Sequence, residues 1–339
     1  MLTGLAPDPV LWLAFAQAAC LLLALWIDRT WGEPAVAWHP VVWMGEYLDL
    51  CGRMSTRCQP AVAFLIGAVT WWVGVLCAWM LAWIVQASAF HEIAAVAAGR
   101  GLPDVLSSLL CLGASAWLFK TMFSWRMLRD ETLAVDAALK QSLTVGRQRL
   151  GMLVSRDTST LTESEVRESA IESLAENLND SVVAPIFWFV LLGLPGAVIY
   201  RFSNTADAMW GYRGSRHGVT WEWAGKWAAW ADDALSWVPA RITAVLLLLA
   251  DRDFSSFAGL RTEARKTPSP NSGWPMAAMA LTLDVCLRKP GVYSLNASGR
   301  SPVAADVSLA IRRASCVLEI IGWSSRALVL VLFALAFLS

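Results

Sequence analysis

Apolar residues fall in long uninterrupted runs, and the clearest are Val10 to Ile27, Ala61 to Val85 and Ile320 to Leu338. A bilayer core about 30 Å thick needs roughly 20 apolar residues of helix, so each run is long enough to cross it. Three weaker runs follow the same pattern. Val105 to Phe119 is short but can extend through Phe123, Val182 to Tyr200 is interrupted by Pro185 and Pro195, and Ala234 to Ala250 is interrupted by Pro239 and Arg241. Proline and arginine at membrane depth are tolerated where protein or a wet cavity covers the freed polar groups. The last two runs therefore read as broken or partly inserted helices that line a site.

Between these runs the pattern changes period. From Ser124 to Leu150 apolar residues recur at helical spacing (Met127, Leu128, Leu133, Val135, Leu139, Leu143), with no Pro and no Gly before Gly146, which predicts one amphipathic helix. Thr162 followed by Glu165 fits a capping box and predicts a helix start just before the segment richest in acids. The expected fold is all-α, a polytopic integral membrane protein with about 4–6 membrane-inserted helices, two of them a candidate re-entrant hairpin, plus amphipathic cytoplasmic helices. No repeat, low-complexity tract or long linker divides the chain, so residues 1–339 are expected to form one membrane-embedded domain with polar segments 28–60, 120–181 and 251–319.

Charge orients this arrangement. The three polar segments carry 3, 8 and 9 Lys and Arg residues, 20 together, against 5 on the other side if all six runs cross, which places the long segments in the cytoplasm and the N-terminus outside. If the fourth and fifth runs instead enter and return, the 4 basic residues of segment 201–233 join the cytoplasmic set. That second arrangement is favoured, because it keeps every polar segment on one side. The opening stretch has no basic residue before its apolar run, so the first span is expected to be retained.

Composition agrees: 57% of the 339 residues are hydrophobic and only 16% charged, too apolar for a soluble domain. A net charge of zero gives no reason to expect nucleic acid as a partner. Seven cysteines without a CxxC pair and three scattered histidines argue against a disulfide framework, a zinc site or a His-based metal centre.

The chemistry concentrates in five places. Glu168, Glu172, Glu176 and Asp180 recur every four residues, so their carboxylates share one helical face, where they repel unless cations meet them; Mg²⁺ takes such oxygen ligands, and Asn177 and Asn179 add amides. A solvated acidic face is the plainer alternative. Asn204 and Asp207, three apart before Gly211, Tyr212 and Arg213, suit a metal or ribose site or equally a helix cap and turn. Asp232 and Asp233 stand at the mouth of the run containing Arg241, a group that seeks a carboxylate or phosphate. Asp28, Arg29, Glu33 and His39 crowd the loop after the first span, although Arg29 suits an interfacial anchor equally well. Arg265, Lys266, Ser269, Asn271 and Gly273 precede an apolar stretch, a composition that suits a phosphate-binding turn or an ordinary loop. No P-loop or dinucleotide fingerprint is present.

In succession these segments resemble the adenosylcobinamide-phosphate synthase (CobD/CbiB) family, from about residue 20 to about residue 300. The resemblance is carried by Asp28 through Gly45, Arg156-Asp157-Thr158-Ser159, Glu172 through Pro185, Asn204 through Arg213, Asp232 through Thr243, and Ser269 through Ala278. Gly32-Glu33-Pro34, Ser236-Trp237 and Arg201 depart mildly from the family pattern, which leaves the aminoalcohol open. The resemblance implies an ATP- and Mg²⁺-dependent ligation at a bacterial inner membrane, with the active site facing the cytoplasm. It would join adenosylcobyric acid to aminopropanol phosphate or ethanolamine phosphate. A carboxylate is a poor electrophile and must first become an acyl phosphate, chemistry that rests on Mg²⁺ ligands and cationic clamps.

Under that resemblance Glu172, Glu176, Asp180, Asp207, Asp232 and Asp233 are expected to hold metal. Asn177, Asn204, Tyr212, Arg213, Lys266, Ser269 and Asn271 are expected to hold ATP and its phosphates. Arg241 and Arg29 would stabilise developing charge beside Asp28, and His39 or Glu33 would take the amine proton. Lipid is an expected partner, and a second copy or other corrinoid-pathway membrane proteins are left open. The rival from residues alone is a transporter or sensor that binds a cation or small solute without chemistry.

Overall fold

The structure, a computed structural model, describes residues 9–97, 102–212, 214–216, 218–252 and 257–338. It is an all-α, multi-pass membrane protein in which six stretches are long and apolar enough to cross a bilayer: Leu13–Trp31, Pro60–Ile93, Val105–Gln141, Glu163–Trp210, Lys226–Asp251 and Ala304–Ala334. The chain resolves into two compact units, one of residues 1–124, 185–232 and 321–339, the other of residues 125–184 and 233–320.

In the first unit α1 (Pro9–Trp31), α3 (Pro60–Ala97) and α4 (Leu102–Lys120) pack on one another, and α2 (Pro40–Ser55) lies on α3. The run from Val105, which could extend through Phe123, forms α4 and ends at Lys120, and four non-helical residues precede the next helix. Leu48, Trp71, Val75, Phe202, Ala206, Trp210 and Ala228 form a buried cluster, in which the indole of Trp210 donates to the carbonyl of Leu48 at 3.2 Å.

The second unit is built around α7 (Glu163–Leu178), which touches α5 (Trp125–Gln141), α6 (Leu143–Leu150), α11 (Gly273–Leu283) and strand β3 (Leu287–Lys289). Its small residues Ser169, Ala170, Ser173 and Ala175 let neighbours approach from several sides, so most of the helix is buried. The capping box forms as read: Glu165 N donates to Thr162 Oγ1, and Thr162 N donates to Glu165 Oε2 at 2.7 Å. The single amphipathic helix expected over Ser124 to Leu150 is two helices. Ser142 stops the first and caps the second, its hydroxyl accepting from Val145 N at 3.2 Å. Serine competes with the helical backbone in this way, a signal that the apolar spacing hides.

The proline-interrupted fourth run is broken, and glycine breaks it. After a π-turn at Asn179–Val183, α8 (Ala184–Trp210) is two helical pieces joined at Gly193, whose φ of 70° and ψ of −159° lie outside the helical region. The break frees backbone groups at apolar depth, and two amides from other helices cover it. Leu194 N donates to Gln86 Oε1 at 2.6 Å, and Gln17 Nε2 donates to the carbonyls of Phe189 and Val190, the latter at 3.1 Å. By contrast α9 (Lys226–Asp251) and α12 (Ala304–Leu338) are continuous helices, α9 through Pro239.

A Cβ on Gly193 would lie 2.2 Å from Gln86 Oε1 at a φ that side chains disfavour. Gly193→Ala is therefore expected to cost about 1–3 kcal/mol, seen as a lower denaturation midpoint in mild detergent. Gly113→Ala, which meets nothing within 4 Å, should leave the midpoint unchanged or raise it.

Candidate active site

In the second unit the acids of α7 meet cations from elsewhere in the chain. Glu168, fully buried, is gripped by Arg288, whose Nε and Nη2 lie 3.2 and 2.7 Å from its two oxygens and whose backbone N–H donates at 3.1 Å. Glu172, also buried, takes Nη2 of Arg156 at 2.5 Å and faces the Tyr293 hydroxyl. Glu176 stands between Glu172 and Asp180, within the fields of Lys289 and Arg156. A short hairpin, β3 paired with β4 (Tyr293–Leu295), thus brings Arg288, Lys289 and Tyr293 to one helical face. Burial pushes the Tyr293 phenol well above its ordinary value, and the charge of Glu172 raises it further.

The amides serve to fix this face. Asn179, in the π-turn, donates to Asp180 Oδ1 at 2.7 Å and accepts from Thr243 Oγ1 at 3.1 Å, which ties α7's end to α9. Asn177 donates back to the Ser173 carbonyl at 2.9 Å.

The basic loop before α11 lies in the same unit. Arg241 sits between the rings of Trp237 and Trp274, at 4.3 and 4.7 Å, and donates to Asn271 Oδ1 at 2.8 Å and to the Pro270 carbonyl at 3.1 Å. Asn271 in turn donates to the backbone of Asp233 at 2.8 Å. The N–H groups of Asn271 and Ser272, expected to face an anion, both donate to Ser269 Oγ at 3.2 Å, and Lys266 is held by Glu263 at 2.7 and 2.8 Å. What remains open there is a cavity of about 640 Å³ lined by Arg241, Arg261, Arg265, Thr267 and Ser269 together with Trp237 and Trp274.

In the first unit Asp28 and Glu33 converge on Lys120, at 3.4 and 2.7 Å, and Glu33 Oε2 lies 3.1 Å from His39 Nε2. His39 Nδ1 accepts from Val41 N at 3.2 Å and so caps α2. Arg29 is exposed at the end of α1. Asn204 donates to Asp232 Oδ1 at 3.3 Å. Asp207 folds its carboxylate over Gly211, where a Cβ would lie 1.9 Å from Oδ1, so only glycine fits. The hydroxyl of Tyr212 is spent on the Ala208 carbonyl at 2.9 Å. Arg213 lies outside the described residues.

Among the described residues no three His, Cys, Asp or Glu side chains converge as a ready-made metal cage. The sequence pattern points to Arg265 with Lys266 but singles out none of Lys120, Arg261, Arg288, Lys289 and Tyr293. Their only sequence signal is a cation or hydroxyl in a plain setting, since their acid partners or neighbours lie far away along the chain.

The chain matches the family described as CobD/Cbib protein over residues 21–317. It is 41% identical over 290 residues to the probable cobalamin biosynthesis protein CobD of Methanothermobacter thermautotrophicus, a match covering 83% of this chain and 87% of that one. It is 35% identical over 310 residues to the cobalamin biosynthesis protein CobD of Dehalococcoides mccartyi, covering 89% and 94%. The same identity holds over 318 residues with that of Chromobacterium violaceum, covering 87% and 91%. No solved structure matches the chain.

The Lys120 cluster makes a pH-dependent prediction. Burial raises the Glu33 carboxyl, but the hydrogen bond with His39 and the Lys120 ammonium outweigh it and hold the group below its ordinary 4.5. Its contribution to stability is then full above that ordinary value and lost as pH falls through the lower folded value. Lys120→Met removes the cation beside Asp28 and Glu33, at an expected cost of about 3–5 kcal/mol near pH 7. Denaturation midpoints should show the variant's deficit shrinking towards about pH 4, as Glu33 takes up its proton. A deficit that ignores pH would reduce Lys120 to packing.

Proposed function

The chain belongs to the CobD/Cbib protein family, and from that premise we propose that it is the cobalamin-biosynthesis enzyme that joins the carboxylate of adenosylcobyric acid to the amine of an aminoalcohol phosphate. Aminopropanol phosphate and ethanolamine phosphate are the two candidate amines. ATP is the co-substrate, and amide, ADP and phosphate are the products. The reading places the enzyme in a bacterial inner membrane with its basic segments in the cytoplasm, in keeping with their 20 Lys and Arg residues.

The observation that carries it is the acid face of α7. Glu168 and Glu172 each have a guanidinium partner, whereas Glu176 stands between two other carboxylates. Three acids at successive turns repel, and they suit a divalent cation better than bare solvent. Mg²⁺ is commonly held by one or two carboxylates together with substrate phosphates, and Glu176 and Asp180 would be the carboxylates here. When bound, Mg²⁺ and ATP supply charge neutralisation and the phosphoryl group that activates the carboxylate.

The chain's own residues then have distinct tasks. Glu176 and Asp180 would supply oxygen ligands, and Asn179, itself held by Thr243, keeps Asp180 in place. Arg156 and Lys289 offset negative charge along the same face. In the first unit Asp207, Asn204 and Asp232 form a set of polar groups of their own, with Asn204 donating to Asp232. Glu33, hydrogen-bonded to His39, is the base pair of groups able to accept the proton that the attacking amine must lose.

The test is mass-spectrometric detection of adenosylcobinamide phosphate from purified detergent-solubilised protein given adenosylcobyric acid, ATP, Mg²⁺ and either aminoalcohol phosphate. Glu176→Ala and Asp207→Ala should each lower turnover by about 10²-fold or more while the protein stays monodisperse. Near-normal turnover in either variant removes that residue from the site, and no product from folded wild type overturns the reading.

A further inference from the structure

The cavity of about 640 Å³ beside α11 differs in chemistry from the acid face of α7. Three guanidiniums line it, Arg241, Arg261 and Arg265, and no Asp or Glu is among its lining residues. Arg241 is already committed to Asn271, Pro270 and its two indole neighbours. Arg261 and Arg265 are exposed and, among the described residues, make no hydrogen bond or ion pair. The acid nearest them in sequence, Glu263, is occupied by Lys266 and by the Asn296 N–H at 2.6 Å. Ser269 Oγ already accepts from two backbone N–H groups, so its own proton is its remaining hydrogen-bonding capacity.

A wall of guanidiniums without a carboxylate selects its ligand. Mg²⁺ complexed to a nucleotide seeks anionic oxygen ligands, which this wall lacks. A phosphate monoester without a metal carries about −1.5 to −2 charges and three strong acceptor oxygens, the partner that planar guanidinium forks bind best. The proposed reaction uses two phosphate-bearing substrates, one that travels with a metal and one that does not. We propose that the Arg241–Arg261–Arg265 cavity is the binding site for the metal-free phosphate monoester, the aminoalcohol phosphate, with Arg261 and Arg265 as its clamp and Ser269 as a further donor. This assignment rests on the ligase reading for the identity of the amine end, while the phosphate preference follows from the cavity alone.

The experiment is equilibrium binding of radiolabelled ethanolamine phosphate to the purified full chain in detergent, without ATP, Mg²⁺ or corrinoid. Inorganic phosphate should compete and plain ethanolamine should not. Arg261→Gln combined with Arg265→Gln should weaken binding by about 100-fold or more, since the double variant removes at least two charge-assisted hydrogen bonds. Mg²⁺–ATP binding, measured in parallel, should stay within twofold. Affinity for ethanolamine phosphate that is unchanged in the double variant overturns the proposal. So does a variant that loses only its retention of phosphatidylglycerol in nanodiscs, which would make the cavity a lipid-headgroup site. Because turnover is not needed, phosphate-dependent binding without product would overturn the ligase reading and leave the cavity assignment standing.

Discussion

Burying a carboxylate away from water is costly unless a cation or several donors meet it, and breaking such a pair costs about 3–5 kcal/mol. That constraint organises both units. Glu168 at the middle of the second unit is completely buried, and it holds down Arg288 from 120 residues away by two side-chain contacts and a backbone bond. The hairpin that Arg288 begins is thereby fixed against α7, and with it Lys289 and Tyr293. In the first unit the buried Lys120 holds Asp28 and Glu33 in the same manner and so orients His39.

A second constraint comes from the low-dielectric setting. A helix broken at apolar depth must have its loose backbone groups covered, since no water is present to do so. Gln17 and Gln86, amides in otherwise apolar helices, perform that service at Gly193. Their presence in α1 and α3 has no explanation within those helices. It follows from the break in α8.

Within the second unit two polar surfaces differ in the sign of their charge. The α7 face gathers acids with Arg156 and Lys289 beside them, a mixture suited to a metal-bound polyphosphate. The α11 cavity presents guanidiniums and hydroxyls without acids. Arg241 belongs to the cavity because two indoles and Asn271 fix its plane, and Asn271 is held in turn by the backbone at Asp233. Lys266, the most obvious cation of the loop by sequence, is instead absorbed by Glu263.

Apolar run length and proline content determined the all-α membrane class and the approximate place of each span, because the period of hydrophobicity is a local property of the chain. The capping box at Thr162 was legible for the same reason, as was the four-residue spacing of the α7 acids. Only the tertiary structure decided which cation meets which acid, since Arg288 and Glu168, or Lys120 and Asp28, carry no mark of each other across about a hundred residues. It also decided that Ser142 ends a helix and that Gly193, more than either proline, breaks α8. Those outcomes depend on whether a neighbouring element can pack on the turn or hydrogen-bond its freed backbone, and that competition is settled only when the distant elements meet.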